Sequence, residues 1–292
     1  MQSGILQPLP KHGCYLSFDK LPEVTLKEAL HCLQQSEIET QHVFGIGPAL
    51  IPTIAETQID LATFPAMSGS GVNVPSTQND VWIWLRGDSP GELAIEAQFL
   101  ASELSECFDL VHQTQAFLHD SGRDLTGYED GTENPTGDDA MAAAIVAGQG
   151  QGLDGGSYVA VQQWVHDLAR FSMHSQPEKD HMIGRRLSDN EELDDAPDSA
   201  HVKRTAQESF APEAFMVRRS MAWAEGPDAG LMFVAFGHSH QAFEQQMVRM
   251  AGLEDGIVDA LFNFTRPITG GYYWCPPLQG DGVDWSICLG DD

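Results

Sequence analysis

One stretch of this chain decides how the elements around it are arranged, and it reads Gly127-Tyr128-Glu129-Asp130-Gly131-Thr132-Glu133-Asn134-Pro135. Two glycines and a proline so close together do not fit a regular helix or strand, so the stretch predicts a loop. The loop places the carboxylate of Asp130 between two glycines, which indicates an acid presented to a ligand. An ordinary turn is the alternative, because aspartate and glycine are common turn residues.

Composition restricts the partners of the chain. Its 292 residues include 15 Lys and Arg against 43 Asp and Glu, a formal net charge of −28. A field of that sign repels phosphate backbones and anionic lipids, so we expect no nucleic-acid partner. No signal-peptide pattern opens the chain and no run of about 18 apolar residues occurs, so we expect no membrane association. Solubility alone is a sufficient reason for this acidity.

The cysteines indicate a reducing compartment. They are Cys14, Cys32, Cys107, Cys275 and Cys288. Their number is odd, and no two of them form a Cys-x-x-Cys pair. Reduced thiols are typical of intracellular proteins, so a cytoplasmic location is expected.

Hydrophobic patterning and capping residues predict the elements of the first half of the chain. Residues 14–18, 81–85 and 108–118 are expected to be extended, because they are rich in bulky apolar side chains. Helices are expected to begin at Thr25 and Ser89, since each has a glutamate three residues later that can complete a capping box. The first half therefore predicts alternating strands and helices.

Five glycines between residues 148 and 156 mark the boundary between the two halves. After them, residues 157–164, 214–221 and 230–236 predict strands, and residues 257–264 have helical spacing. Each half thus combines strands with helices. The short connections favour antiparallel pairing.

Further motifs follow the first one in a recognisable order. They are Ile183-Gly184-Arg185, the stretch around His201, Arg218-Arg219-Ser220-Met221, and Phe262-Asn263-Phe264-Thr265 leading to Thr269-Gly270-Gly271-Tyr272. Together with the Gly-x-x-Asp-Gly signature at residues 127–131, they show that the chain resembles the dye-decolourising peroxidases, a family of haem proteins. The motifs extend over nearly the whole chain in the family's order. One departure is Ala200, which stands where family members often place Ser directly before His.

The resemblance implies a fold and a domain arrangement. The fold class is α+β, a duplicated ferredoxin-like fold with two antiparallel sheets and peripheral helices. The N-terminal half, residues 1–147, includes the loop that supplies a distal carboxylate. The C-terminal half, residues 157–292, is expected to bind haem b, which is iron protoporphyrin IX.

The resemblance also implies roles for individual residues. Asp130 and Arg218 are expected on the distal side, where Asp130 moves a proton of peroxide and Arg218 stabilises negative charge on the departing oxygen. His201 is expected to be the axial ligand of the haem iron, and Asp259 is expected to accept a hydrogen bond from its second ring nitrogen. Further residues expected to contact the cofactor are Gly131, Thr132, Glu133, Arg185, Arg204, Ser220, Leu231 and Phe233.

Several of these assignments have alternatives. Arg185 and Arg204 suit the propionates of haem, but either could instead form an ion pair with the acidic residues nearby. Leu231 and Phe233 lie two apart on a strand and share one face, as two core residues also would. Composition does not select His201 among the 11 histidines, whereas the order of the motifs does.

The predicted function is a haem-dependent peroxidase. The enzyme would reduce hydrogen peroxide and oxidise dyes, phenols or similar small-molecule donors of one electron through a ferryl intermediate. One alternative is a haem-handling protein that binds or stores haem or releases its iron. Another is an acidic α+β binding module without a cofactor. Exposed sheet edges and the resemblance predict a homo-oligomer, either a dimer or larger.

Overall fold

The structure is a computed structural model that describes residues 1–36, 38, 41–51, 59–69, 71–280 and 282–289. Its strands are β1 (His12–Lys20), β2 (Val43–Ile46), β3 (Met67–Gly69), β4 (Val72–Val74), β5 (Val81–Gly87), β6 (Phe108–Phe117), β7 (Ser157–His166), β8 (Val217–Arg218), β9 (Met221–Glu225), β10 (Asp228–Gly237), β11 (Thr265–Pro267), β12 (Gly271–Cys275), β13 (Leu278–Gln279) and β14 (Gly282–Val283). Its α-helices are α1 (Leu26–Gln35), α2 (Pro90–Leu104), α3 (Gly137–Ala144), α4 (Leu168–Ser172), α5 (Gln176–Ile183), α6 (His201–Arg204), α7 (Gln241–Met250) and α8 (Ser286–Leu289). Short 3-10 helices are Ser3–Ile5, Pro48–Leu50, Gln207–Ser209 and Ala260–Asn263.

Side-chain caps determine where the helices of the first half begin. The side chain of Thr25 accepts a hydrogen bond from the amide of Glu28, whose carboxylate accepts one from the amide of Thr25 at 2.9 Å. Ser89 accepts in the same way from the amide of Glu92, and Pro90 is the first residue of α2. Each cap satisfies amides that have no partner within the helix. The predicted starts of both helices are confirmed.

The large sheet closes on itself. Ten strands follow the order β11-β7-β12-β2-β5-β1-β6-β9-β10-β8, and β7 also pairs with β10. Because β7 pairs with β12 along one edge and with β10 along the other, the strands complete a barrel. The expectation of two separate sheets is corrected here, since strands of different halves pair with each other: β2 with β12 at Ile46, and β6 with β9 at Ala116 and Phe117. Hydrophobic patterning locates strands, but it does not say which strands pair across the halves.

The order of elements repeats along the chain. The first half contains β1, α1, β2, β5, α2 and β6, and its strands lie in the order β6-β1-β5-β2. The second half contains β7, α4, α5, β9, β10, α7 and β12, with the strand order β12-β7-β10-β9. The protein thus has a mixed α and β fold with a sheet-rich core. Among the described residues, no helix is long and apolar enough to cross a membrane.

The core lies on both faces of β5. Ile83 and Leu85 are fully buried on the face covered by α1 and α2. Trp82 and Trp84 point to the opposite face, into the barrel. There they belong to the same buried cluster as Trp223 of the second half. The barrel interior is therefore built from both halves of the chain.

Two elements differ from their predicted bounds. The strand predicted for residues 214–221 is shorter in the structure, where β8 comprises Val217–Arg218 and β9 begins at Met221. The helix predicted for residues 257–264 is the 3-10 helix Ala260–Asn263, with Asp259 as its N-cap. The Asp259 side chain accepts a hydrogen bond from the amide of Leu261, which begins the helix at this point.

Candidate active site

The loop that follows β6 holds Asp130 in a tight turn, as predicted. Gly127 and Gly131 have positive φ angles of 91° and 74°, which residues with a side chain rarely adopt. A Cβ atom at Gly131 would also lie 2.7 Å from Nδ2 of Asn134. The path of the backbone therefore requires glycine at both positions. Between them, Asp130 lines an apolar pocket.

Asn134 ties this loop to β8. Its Oδ1 accepts a hydrogen bond from the amide of Arg218 at 2.8 Å, and its Nδ2 donates to the Arg218 carbonyl at 2.9 Å. These two bonds fix the backbone of Arg218 relative to the loop that carries Asp130, and both residues line the same pocket. Within the described part of the chain, Nε of Arg218 is buried without a hydrogen-bond partner. The structure thus brings a carboxylate and a guanidinium from distant parts of the sequence to one pocket.

His201 is held by a buried carboxylate. Its Nδ1 lies 2.8 Å from Oδ2 of Asp259, whose side chain is fully buried. The other carboxylate oxygen, Oδ1, accepts a hydrogen bond from the amide of Leu261 at 2.8 Å. Because an ionised carboxylate can only accept, the proton of a neutral imidazole lies on Nδ1 and the lone pair lies on Nε2. This arrangement presents Nε2 as a possible ligand to a metal ion.

Backbone contacts hold the histidine beside the carboxylate. The amide of Ala260, next to Asp259, donates to the carbonyl of Ser199 at 2.8 Å. The amide of Asp259 donates to the carbonyl of Met250, also at 2.8 Å. His201 begins α6 two residues after Ser199. The segment that carries the histidine is therefore attached to the segment that carries its partner.

The wall of the pocket is mainly apolar. His201, Asp130 and Arg218 are among the residues that line the pocket. Leu231 and Phe233, which were predicted to share one face of a strand, both line it. Other apolar lining residues are Trp164, Met216, Phe243, Met247, Met250 and Phe264. An apolar pocket with an imidazole in its wall fits a hydrophobic metal cofactor such as haem.

The sequence analysis missed a second acid and histidine pair in the wall of this pocket. Nε2 of His166 lies 2.9 Å from Oδ1 of Asp124, and its Nδ1 lies 2.6 Å from Oγ1 of Thr265. The Thr265 hydroxyl donates to the carbonyl of Val165 at 3.0 Å, so its oxygen accepts from His166. Both ring nitrogens of His166 are thus engaged in hydrogen bonds to oxygen atoms. The two residues are 42 positions apart and belong to no motif, so no signal in the sequence predicted this contact.

The substitution Asp124→Asn should destabilise the protein, and by more at neutral pH than in acid. Burial disfavours the charge of Asp124, but hydrogen bonds from His166 and Thr126 outweigh it and lower the pKa of this carboxyl. A carboxyl whose pKa is lowered by folding stabilises the protein above its ordinary pKa, and this contribution is lost as the pH falls through the folded-state value. At pH 7 we expect the free energy of unfolding to fall by about 3 kcal/mol, as measured by urea denaturation. The exposed Asp109→Asn is the control, and equal stability of Asp124→Asn and wild type at neutral pH would contradict the pairing.

Arg185 and Arg204, which were expected to contact the cofactor, bind carboxylates of the chain. Nη2 of Arg185 lies 2.5 Å from Oε1 of Glu133 and 3.4 Å from Oε2 of Glu192. Arg204 donates to both oxygens of Asp255, at 2.7 and 2.8 Å, and these bonds contribute most to lowering the pKa of that carboxyl to about 2. Neither arginine is among the described residues that line the pocket. Both arginines form ion pairs within the protein, and their contact with the cofactor stays a prediction.

Three other residues expected to contact the cofactor line a neighbouring cavity. They are Gly131, Thr132 and Ser220. This cavity shares Asp130 and Arg218 with the apolar pocket. A small polar molecule in the cavity can therefore reach both of these side chains.

The substitution Asp259→Asn should weaken the support of His201 without removing the hydrogen bond. The amide oxygen of asparagine can still accept from Nδ1, but the loss of negative charge makes Nε2 a poorer electron donor. We expect roughly a 10–100-fold loss in metal-cofactor affinity. Cofactor titration measures this affinity. Asp255→Asn is the matched control on the same segment, and an equal effect of both substitutions would contradict a specific role for Asp259.

The chain is similar to proteins of one family. A family profile described as "Dyp-type peroxidase, C-terminal" matches residues 121–280. The dye-decolorizing peroxidase of Mycobacterium tuberculosis is 28% identical over 226 residues, which cover 75% of this chain and 68% of that protein.

Solved structures with the same fold agree with this match. A dye-decolorizing protein from V. cholerae is 26% identical with a TM-score of 0.82, and the similarity covers 94% of this chain and 97% of that one. A variant of DypB from Rhodococcus jostii RHA1 in complex with heme is 25% identical with a TM-score of 0.83, covering 94% of this chain and 96% of that one. Because the family profile spans more than half of the 292 residues, the chain belongs to the Dyp-type peroxidase family and is an oxidoreductase of the peroxidase class.

Proposed function

We propose that this protein is a haem-dependent peroxidase that reduces hydrogen peroxide and oxidises small donors of one electron, such as dyes and phenols. One observation carries the proposal: a single apolar pocket is lined by His201, Asp130 and Arg218, and the histidine is held by Asp259. The similarity to a DypB variant in complex with heme supports the same cofactor.

Haem b is the proposed cofactor, and Nε2 of His201 would bind its iron. The apolar lining suits the porphyrin, and the proton on Nδ1 of His201 leaves the lone pair of Nε2 for the metal. When bound, haem would supply the redox chemistry of peroxide reduction and donor oxidation. The carboxylate of Asp259 would increase electron donation by the imidazole.

Asp130 and Arg218 are the proposed catalytic residues. The carboxylate of Asp130 would accept a proton from hydrogen peroxide and return it to the oxygen atom that leaves. The guanidinium of Arg218 would stabilise the negative charge that develops on this oxygen. Both roles require the two side chains to keep their positions, which the hydrogen bonds between Asn134 and the Arg218 backbone support.

We infer that the fold is a duplicated ferredoxin-like unit. The same order of strands and helices in both halves, and the same neighbour order of their strands, support a division into residues 1–147 and 157–292. The homo-oligomer and the cytoplasmic location stay predictions. Light scattering during size-exclusion chromatography measures the oligomeric state.

Addition of haem to the purified protein tests the proposed function. A peroxidase should acquire a Soret band at one haem per chain, change this band within milliseconds of mixing with peroxide, and then oxidise a phenol or a dye over many turnovers. A haem-handling protein would bind haem without such turnover, or release iron and leave a fluorescent porphyrin. Absence of a Soret band after haem addition would contradict both and favour a binding module without cofactor.

A further inference from the structure

Two cysteines lie next to each other at the surface of the first half. Cys32 is in the last turn of α1, Cys107 directly precedes β6, and both are partly exposed free thiols. Cys107 is a hydrogen-bonding and electrostatic neighbour of Cys32. Its Sγ also lies 3.9 Å from the carbonyl oxygen of Glu28, one helical turn before Cys32. The other three cysteines are buried, and they are Cys14, Cys275 and Cys288.

Ordered backbone holds both thiols in place. The amide of Cys107 donates to the carbonyl of Leu104 at 3.0 Å, and its carbonyl accepts from the amide of Leu21 at 2.9 Å. Cys32 belongs to α1, whose capping box fixes its first turn and whose inner face is buried in the core. The proximity of the two thiols is therefore a property of the fold and does not depend on the conformation of a loop.

The surroundings of Cys32 keep this thiol protonated at neutral pH. Burial, the neighbouring Cys107 thiol and the charges of Glu103 and Glu106 raise the pKa of Cys32 to about 12. Because peroxide oxidises thiolates rather than thiols, the pair should react slowly, and its oxidation should require excess peroxide.

We propose that Cys32 and Cys107 are a redox-sensitive pair that forms a disulfide when the protein meets excess hydrogen peroxide. Peroxide transfers one oxygen atom to one sulfur of the pair, giving a sulfenic acid, and the other oxygen leaves as water. The second thiol loses its proton and its sulfur attacks the oxidised sulfur, the S–O bond breaks, and the hydroxyl group leaves with that proton as a second water. In total, two thiols lose two hydrogen atoms, and one peroxide becomes two waters. Peroxide as the oxidant in the cell rests on the proposed function, but the thiol chemistry needs no haem.

Thiol counting on the full-length protein tests the proposal. Reduced protein is treated with hydrogen peroxide, excess peroxide is removed, and free thiols are counted with a chromogenic disulfide reagent in denaturant. The count should fall from five to three per chain. Mass spectrometry without reduction should find one cross-linked peptide pair, Cys32 with Cys107, two hydrogen atoms lighter than the separate peptides. A count that stays at five, or a cross-link between other cysteines or between two chains, would overturn the proposal.

Single substitutions test the pairing. In Cys32→Ser and in Cys107→Ser, peroxide should form no disulfide within the chain, and dimedone should trap a sulfenic acid on the cysteine of the pair that remains. Equal melting temperatures of the reduced variants and wild type establish that each variant is folded, and a disulfide within the chain of either variant would contradict the pairing.

The same treatment of protein with and without added haem separates this proposal from the proposed function. The loss of two thiols should occur in both samples. Loss of two thiols without peroxidase turnover would support the cysteine pair and contradict the proposed peroxidase. Turnover in a protein that keeps all five thiols would support the peroxidase and contradict the cysteine pair.

Discussion

The substitution His201→Ala should abolish tight haem binding. Within the described pocket wall, His201 is the histidine whose Nε2 keeps a lone pair for iron, because Asp259 holds the proton on Nδ1. The other histidine of the wall, His166, has both ring nitrogens in hydrogen bonds and cannot take over this role. The loss of affinity should therefore exceed the roughly 10–100-fold effect of losing a residue that only supports a ligand. Titration with haem, followed at the Soret band, measures it.

Two comparisons make this result specific to iron ligation. His174→Ala, which changes a histidine outside the pocket, should bind haem as wild type does. Added imidazole should restore the Soret band in His201→Gly, since a free imidazole can occupy the space that the side chain leaves. Stoichiometric haem with an unchanged spectrum in His201→Ala would show that another residue binds the iron.

The substitution Asp130→Asn should slow the reaction with peroxide by about 10²–10⁴-fold while leaving haem binding intact. The asparagine keeps the shape of the side chain but cannot accept the proton that peroxide must lose. Arg218→Ala should slow the same step by about 10²–10³-fold, because it removes the positive charge next to the departing oxygen. Rapid mixing with peroxide, followed at the Soret band, measures both rates.

A neighbouring carboxylate provides the matched control. Glu129 also lines the pocket, but its Oε1 is already 2.9 Å from Nη2 of Arg123. Glu129→Gln should therefore change the rate by less than about tenfold, since ion pairs of this exposure contribute little. The double variant Asp130→Asn with Arg218→Ala should lose less than the product of the single effects, because both residues act in one step. Rates equal to wild type in both single variants would exclude the proposed catalytic pair.

The sequence predicted those parts of the site that depend on local rules. The positive φ angles of Gly127 and Gly131 require glycine, so the loop around Asp130 was visible in the residue types alone. Alternation along a strand placed Leu231 and Phe233 on one face, and both line the pocket. The contact between His201 and Asp259 followed only from the resemblance to a family, because neither residue stands in a distinctive local pattern.

The remaining features depend on contacts between distant segments, which no local pattern encodes. Closure of the barrel requires β2 to pair with β12 and β6 to pair with β9. The carboxylate partners of Arg204 and His166 lie 51 and 42 positions away from them. A guanidinium group pairs equally well with a haem propionate and with an aspartate. The residue type of Arg204 alone therefore does not predict which of these carboxylates it binds.

The closed barrel also limits how this chain can be divided. Trp84 comes from the first half and Trp223 from the second, yet both are buried in the same interior cluster. A fragment that ends before β7 would expose Trp84 and the other inward side chains of its strands to water. Such fragments should aggregate rather than behave as small proteins, because an open apolar sheet edge recruits further chains. The two halves thus depend on each other for their folding, and truncation at the glycine-rich boundary should not yield a smaller active enzyme.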